Sequence, residues 1–117
     1  SYLYPDLVIA CGPVFEPAPS RLLLNPILIV EILSPSTESA DRGRKSRAYR
    51  EIATLREYLL VHTGEPLIEV FRRVDDGWLS VIVEGEDAVL RLTSLGFDLK
   101  FADVYRTRIL HGWPPDA

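Results

Sequence analysis

The sequence predicts an α/β domain built around a covered, mixed β-sheet, and three features of the chain predict it. The first is an apolar run at residues 27–33, where both faces of a strand would be buried. The second is a strand, helix and strand spacing over residues 26–62, which is typical of a parallel βαβ crossover. The third is a pair of apolar segments around Asp75-Asp76-Gly77, which indicates an antiparallel hairpin. The 117 residues are expected to form a single domain over 1–117.

The first half of the chain carries the predicted crossover. Residues 7–11 suit a buried strand in which Cys11 packs as a small hydrophobe, and a proline-rich loop then leads to the strand at 27–33. Ser36 or Thr37 can cap the following helix, which is expected to extend to about Ile52. The next strand is predicted at 57–62, parallel to the strand at 27–33.

The second half of the chain predicts hairpins. Strands are expected at 67–74 and 78–83, with Gly77 taking positive φ in the turn between them. A short strand at 89–92 and a short helix at 101–105 complete the prediction. The long hairpin would expose an edge of the sheet, through which a homodimer or higher homo-oligomer is expected to form.

The composition argues against some classes of function. The net charge of −4 argues against a general attraction for nucleic acid, although several basic residues between 42 and 50 leave room for a local basic surface. No apolar run approaches the roughly 20 residues of a membrane-spanning helix, so we expect a cytoplasmic protein with no membrane partner.

The carboxylate of Glu31 lies inside the apolar run at 27–33 and demands a compensating charge. An unpaired buried carboxylate costs several kcal/mol, so Glu31 requires an ion pair with Lys45 or Arg42, or a bound cation. Asp6 precedes the first strand and could be a turn residue or a second carboxylate at the same edge of the sheet. Two carboxylates at a sheet edge are typical of a Mg²⁺ or Mn²⁺ site.

The helix after Glu31 can supply the positive charge. Its residues Arg42, Lys45, Tyr49 and Ile52 share one stripe at 100° per residue, so Lys45 is expected to face the sheet. Lys45 could instead be solvated and paired with Asp41.

Three blocks of the chain resemble a known family. The segments "YPDLVIACG", "NPILIVEILSPSTESADRGRKSRAYREI" and "REYLLVHTGEPLIEVFRR" are similar to the Uma2 family, also called DUF820, in the PD-(D/E)XK nuclease superfamily. The resemblance extends through "LTSLGFDL" to "FADVY" and so covers essentially the whole chain. It implies a restriction-endonuclease-like α/β core, Mg²⁺ or Mn²⁺ as cofactor, and DNA as the substrate of phosphodiester hydrolysis.

The resemblance also implies roles for named residues. Asp6 and Glu31 would be the catalytic metal carboxylates, the backbone carbonyl of Ile32 a further metal ligand, and Lys45 the catalytic positive charge. The basic side chains of Arg42, Arg44 and Arg47 would form either a DNA-binding track or a solvated helix face.

Two departures from the superfamily pattern bear on these roles. The superfamily places lysine two residues after the glutamate, where this chain has Leu33, so lysine must come from the helix. The first helix of such nucleases has no counterpart before Tyr2, so we expect an N-terminal helix to be missing from this sequence. The alternative function is a non-catalytic nuclease-fold domain for protein binding or assembly, in which Glu31 and Lys45 neutralise each other.

Overall fold

The structure is a computed structural model that describes residues 5–34 and 38–106, with the side chains of 38–42 and 106 left undescribed. Within these residues it contains seven strands and two helices. Their bounds are β1 Leu7–Ile9, β2 Leu28–Leu33, α1 Glu38–Arg50, β3 Glu57–His62, β4 Ile68–Val74, β5 Gly77–Val83, β6 Val89–Leu92, β7 Phe97–Lys100 and α2 Phe101–Arg106.

Five of the strands form one mixed sheet in the order β1-β2-β3-β4-β5. The pair β2 and β3 is parallel, while β1 with β2, β3 with β4, and β4 with β5 are antiparallel. Because α1 connects two adjacent parallel strands, the predicted βαβ crossover and the mixed α/β fold class are confirmed. The strands β6 and β7 form a separate antiparallel hairpin.

Each face of the sheet carries its own apolar core. Side chains alternate along a strand, so Leu28 and Leu59 lie on one face while Ile29 and Leu60 lie on the other. The first face packs against the β6–β7 hairpin and α2, and the second packs against α1 through Tyr49. All six residues of β3 are buried, as expected for a central strand covered on both sides.

A buried carboxylate attaches the β6–β7 hairpin to the main sheet. Glu57 in β3 has no solvent exposure and accepts a 2.7 Å hydrogen bond from Nε of Arg72 in β4. It also accepts hydrogen bonds from the backbone and the hydroxyl of both Thr93 and Ser94, which directly follow β6. All of these donors point at one anion, so this charge is compensated by side chains and backbone of the fold itself, with Arg72 as its counter-charge.

The first strand differs from the prediction. It was expected to be a buried strand over residues 7–11, but β1 is a three-residue outer strand in which Leu7 is 52 % exposed and Val8 is 37 % exposed. Cys11 is exposed as well, rather than packed in the core. An apolar run cannot by itself distinguish a covered central strand from an outer strand, which explains the error.

The hairpin of β4 and β5 is confirmed, but its turn is not the one predicted. Gly77 is the first residue of β5 and pairs with Val74, so the turn contains only Asp75 and Asp76. Positive φ is adopted by Asp75, at 46°, and aspartate is one of the few residues with a side chain that tolerates this region. The strand β7 was not predicted, although Gly96 with φ of 75° forms the turn that leads into it.

The proposed helix caps and the expected absence of a membrane-spanning helix are the last two predictions about the fold. Ser36 and Thr37, proposed as helix caps, lie outside the described residues. In the part of the chain that the structure covers, no helix has the length and apolar character needed to cross a membrane.

Candidate active site

Glu31 lies on the face of the sheet that α1 covers. Because side chains alternate along β2, Glu31 points to the same face as Ile29 and Leu33. These two residues belong to the core beneath α1. Its register partner in β3 is Leu60, which contributes to the same core. The Glu31 residue is only 4 % exposed, so its carboxylate is held against an apolar surface.

Lys45 compensates this charge, as the helical stripe predicted. Its Nζ donates a 2.9 Å hydrogen bond to Oε2 of Glu31, and its side chain is 28 % exposed against 5 % for Glu31. The ion pair therefore links a buried anion to a partly solvated cation. Removing either partner would leave the other charge unpaired in or near the core.

Asp6 approaches the same point from β1. The register pairs Leu7 with Val30, and one further step sets Asp6 opposite Glu31, where cross-strand side chains share a face. Its Oδ2 accepts a 2.7 Å hydrogen bond from the backbone N–H of Ile32. Asp6 thus satisfies the backbone of β2 just beyond the end of β1, and it is exposed where Glu31 is buried.

Tyr49 completes the surroundings of the two carboxylates. It lies one turn after Lys45 on α1 and is 2 % exposed. Burial raises the pKa of its hydroxyl above the usual range, and the negative charges of Glu31 and Asp6 raise that pKa further. The hydroxyl faces Glu31 but completes no hydrogen bond of normal geometry with any described residue.

The donor atoms at this point fit a hard divalent cation. Oδ1 of Asp6 and Oε1 of Glu31 make no hydrogen bond to the described residues, and Mg²⁺ is commonly bound through one or two carboxylates with several waters. A strand residue directs its N–H and its C=O toward the same neighbouring strand, so the Ile32 carbonyl is placed on the Asp6 side. No group of three His, Cys, Asp or Glu side chains converges within the described ranges, so further ligands would be backbone or water oxygens.

Among the arginines proposed to contact DNA, Arg44 and Arg47 have side chains that the structure describes. Arg44 and Arg47 are exposed on α1, and Arg47 is rotated about 200° from Lys45, toward the side away from the sheet. The side chain of Arg42 lies outside the described residues. A role of these residues in DNA binding stays a prediction.

One buried polar pair on this face was not among the residues predicted for the site. Nε2 of His62 lies 2.8 Å from Oε2 of Glu69, and both residues are buried. Glu69 pairs with Leu60 in the register, so it lies two strands from Glu31, at about 10 Å. The signal available in the sequence was a second carboxylate inside the apolar segment of β4.

Comparison with known proteins gives a consistent result. The model of the Uma2 family, described as "Putative restriction endonuclease", matches residues 1–102. Two uncharacterized proteins of Synechocystis sp. (strain ATCC 27184 / PCC 6803 / Kazusa) are similar to this chain. The first, slr1290, is 36 % identical over 107 residues, covering 91 % of this chain and 55 % of its own length. The second, sll1609, is 38 % identical over 95 residues, covering 80 % of this chain and 54 % of its own length.

A solved structure shares the fold. The crystal structure of "a putative nuclease belonging to DUF820" from Anabaena variabilis ATCC 29413 superposes with a TM-score of 0.57 at 21 % identity. The match covers 73 % of this chain and 46 % of that one, and this chain spans about half the length of the curated relatives as well. The restriction-endonuclease-like fold is thereby confirmed, and the chain belongs to the Uma2 family.

Proposed function

We propose that this protein is a metal-dependent endonuclease that hydrolyses DNA phosphodiester bonds, with Mg²⁺ or Mn²⁺ held by Asp6 and Glu31. The observation that supports this function best is the meeting of three charged groups from three separate elements. Asp6 precedes β1, Glu31 lies within β2 and Lys45 lies on α1, yet Lys45 contacts Glu31 and Asp6 contacts the backbone of the next residue, Ile32. The Ile32 carbonyl would be a further ligand.

A divalent cation bound there would lower the pKa of a bound water and offset charge on the phosphoryl group. Glu31 would hold its ligand oxygen rigidly, because its carboxylate is packed between apolar side chains of β2 and β3. Asp6 would be fixed by its hydrogen bond to the Ile32 amide. The exposure of Asp6 leaves the outer side of the site open to a large substrate.

Lys45 would change partners during the reaction. In the absence of substrate its ammonium neutralises Glu31, and its partial exposure allows the flexible side chain to reach an anion arriving from solvent. An ammonium placed beside a phosphodiester stabilises the negative charge that develops in the transition state.

A plasmid-nicking assay tests this function. The wild-type protein is expected to cleave DNA with Mg²⁺ or Mn²⁺ and to stop when EDTA is added. Glu31→Gln is expected to abolish cleavage, and Lys45→Gln to slow it by about 10²–10³-fold. Glu84→Gln, at an exposed position after β5, is the matched control and should cleave normally. Cleavage by Glu31→Gln at the wild-type rate would contradict the proposal.

A second candidate function rests on the ion pair itself. Because Lys45 already neutralises Glu31 at 2.9 Å, the same geometry would serve a non-catalytic domain used for protein binding or assembly. This alternative predicts that no divalent cation binds and that DNA is left intact. It also predicts that Glu31→Gln combined with Lys45→Gln is more stable than Lys45→Gln alone, since the unpaired carboxylate would then be gone.

A further inference from the structure

The hydroxyl of Tyr49 is a buried polar group whose position the fold alone does not explain. Tyr49 of α1 contacts Tyr58 of β3, with ring centroids 6.0 Å apart, and both residues are almost completely buried. Tyr58 pairs its hydroxyl with that of Ser46, whereas the Tyr49 hydroxyl, although close enough to Glu31 to be affected by it, completes no hydrogen bond of normal geometry with the described residues. A buried unpaired hydroxyl lowers stability, so phenylalanine would suit the packing better.

The surroundings of this hydroxyl are the two carboxylates of the candidate site. Tyr49 follows Lys45 by four residues, so both side chains leave α1 on the same face. Lys45 contacts Glu31, and Tyr49 packs in the same cluster as Ile29 and Leu33, which flank Glu31 on that face of β2. The Asp6 carboxylate also acts on the Tyr49 hydroxyl. The hydroxyl therefore lies next to Glu31, where a cation would bind.

We propose that Tyr49 is a positioning residue of the cation site, which donates its hydroxyl hydrogen to Glu31 when Asp6 and Glu31 hold a divalent cation. This inference rests on the proposed metal-dependent function. Carboxylates that bind metals are themselves held by hydrogen bonds from neighbouring groups, which fix the orientation of the ligand oxygen. Before a cation binds, Lys45 provides that hydrogen bond.

A neutral donor is required once the cation is present. A dication beside Glu31 repels the ammonium of Lys45, so Lys45 is a poor partner for the loaded carboxylate. The tyrosine hydroxyl carries no charge and does not oppose the cation. Tyr49 can therefore take over the orientation of Glu31 while Lys45 turns toward the phosphodiester.

The test compares Tyr49→Phe with the wild-type protein by calorimetric titration of Mn²⁺ without DNA. We expect the variant to bind Mn²⁺ about 10–100-fold more weakly. Without metal, its melting temperature should be equal to or above that of the wild type, because the variant loses an unpaired buried hydroxyl. Tyr58→Phe is the matched control, since it removes the hydroxyl that pairs with Ser46. This control should melt at a lower temperature and keep the wild-type Mn²⁺ affinity.

A spectroscopic readout separates positioning from packing. A hydrogen bond formed by Tyr49 on cation binding should change the ultraviolet absorption of tyrosine during the Mn²⁺ titration. We expect this difference spectrum in the wild type and in Tyr58→Phe, and its loss in Tyr49→Phe at saturating Mn²⁺.

The outcomes are distinguishable. Wild-type Mn²⁺ affinity in Tyr49→Phe would overturn this inference and leave the metal-dependent function standing. A melting temperature of metal-free Tyr49→Phe that falls as far as that of Tyr58→Phe would overturn it too, because the hydroxyl would already be bonded. Failure of the wild type to bind Mn²⁺ would overturn the proposed function and this inference with it.

Discussion

Replacing Glu57 by glutamine should destabilise the protein severely although the two side chains have nearly the same shape. Glu57 is fully buried, and each of its two oxygens accepts hydrogen bonds. Arg72 donates to one oxygen at 2.7 Å, and the Ser94 amide donates to the other at 2.8 Å. The amide group of glutamine would place its own N–H atoms against Arg72 and Thr93 or against Ser94. Either orientation leaves opposed donors and removes the charge that balances Arg72.

The expected loss is about 3–5 kcal/mol in the free energy of unfolding, the range for breaking a buried ion pair. Total stabilities are about 5–15 kcal/mol, and roughly 4 °C per kcal/mol is appropriate for this length, so Tm should fall by about 12–20 °C. Urea unfolding measured by tryptophan fluorescence would provide the free energy.

The matched control is Asp98→Asn in the same hairpin. Asp98 pairs with Arg91 at 3.3 Å, but both side chains are at least half exposed, so its loss should cost less than about 0.5 kcal/mol. A change below about 1 kcal/mol for Glu57→Gln would refute the reasoning, because it would mean that the carboxylate is not the anchor of the hairpin.

The same carboxylate should contribute to acid unfolding. Burial acts to raise the pKa of Glu57, but hydrogen bonds from Ser94, Arg72 and Thr93 outweigh burial and leave the pKa below its ordinary value of 4.5. A folded-state pKa below the unfolded value means that the stabilisation is complete above the unfolded pKa and declines as pH falls through the folded one. The stability difference between wild type and Glu57→Gln should therefore be constant near neutral pH and shrink in acid.

Two further substitutions test other contacts. Lys45→Gln leaves the buried Glu31 carboxylate without its counter-charge, so the metal-free protein should lose about 1–3 kcal/mol in thermal unfolding; unchanged stability would refute the pairing. Arg73→Lys removes a guanidinium that donates to backbone carbonyls at 2.8 and 2.9 Å after α1 and stacks 4.4 Å from the centre of Trp78. A loss of about 1–3 kcal/mol is expected in urea unfolding, and equal midpoints for both proteins would contradict it.

The central elements were predictable because their local and tertiary signals agree. The segment at 27–33 is apolar on both faces, and β2 is covered on both faces except at Ile32, which is 43 % exposed. The strand at 57–62 was predicted with its exact bounds as β3. The outer strand β1 was not predictable in the same way, because the sequence shows that a segment is apolar and not which neighbours cover it.

The candidate site was predictable to the extent that charge must be balanced. A carboxylate inside an apolar strand demanded a partner, and the helical stripe offered Lys45 and Arg42. The structure places Lys45 at 2.9 Å from Glu31. The same stripe placed Tyr49 on the face of Lys45 but assigned it no role in the site. The closeness of Tyr49 to Glu31 depends on how α1 crosses the sheet, and the pattern of one helix does not contain this three-dimensional relation.

The most direct test of the account is whether Asp6 and Glu31 together hold one divalent cation. Calorimetric titration of Mn²⁺ into the wild-type protein, Asp6→Asn and Glu31→Gln measures this without any substrate, and Glu84→Gln serves as the exposed-carboxylate control. One site is expected in the wild type and in the control, with affinity greatly reduced in both site variants. Wild-type affinity in either site variant, or no binding to the wild type, would contradict this expectation.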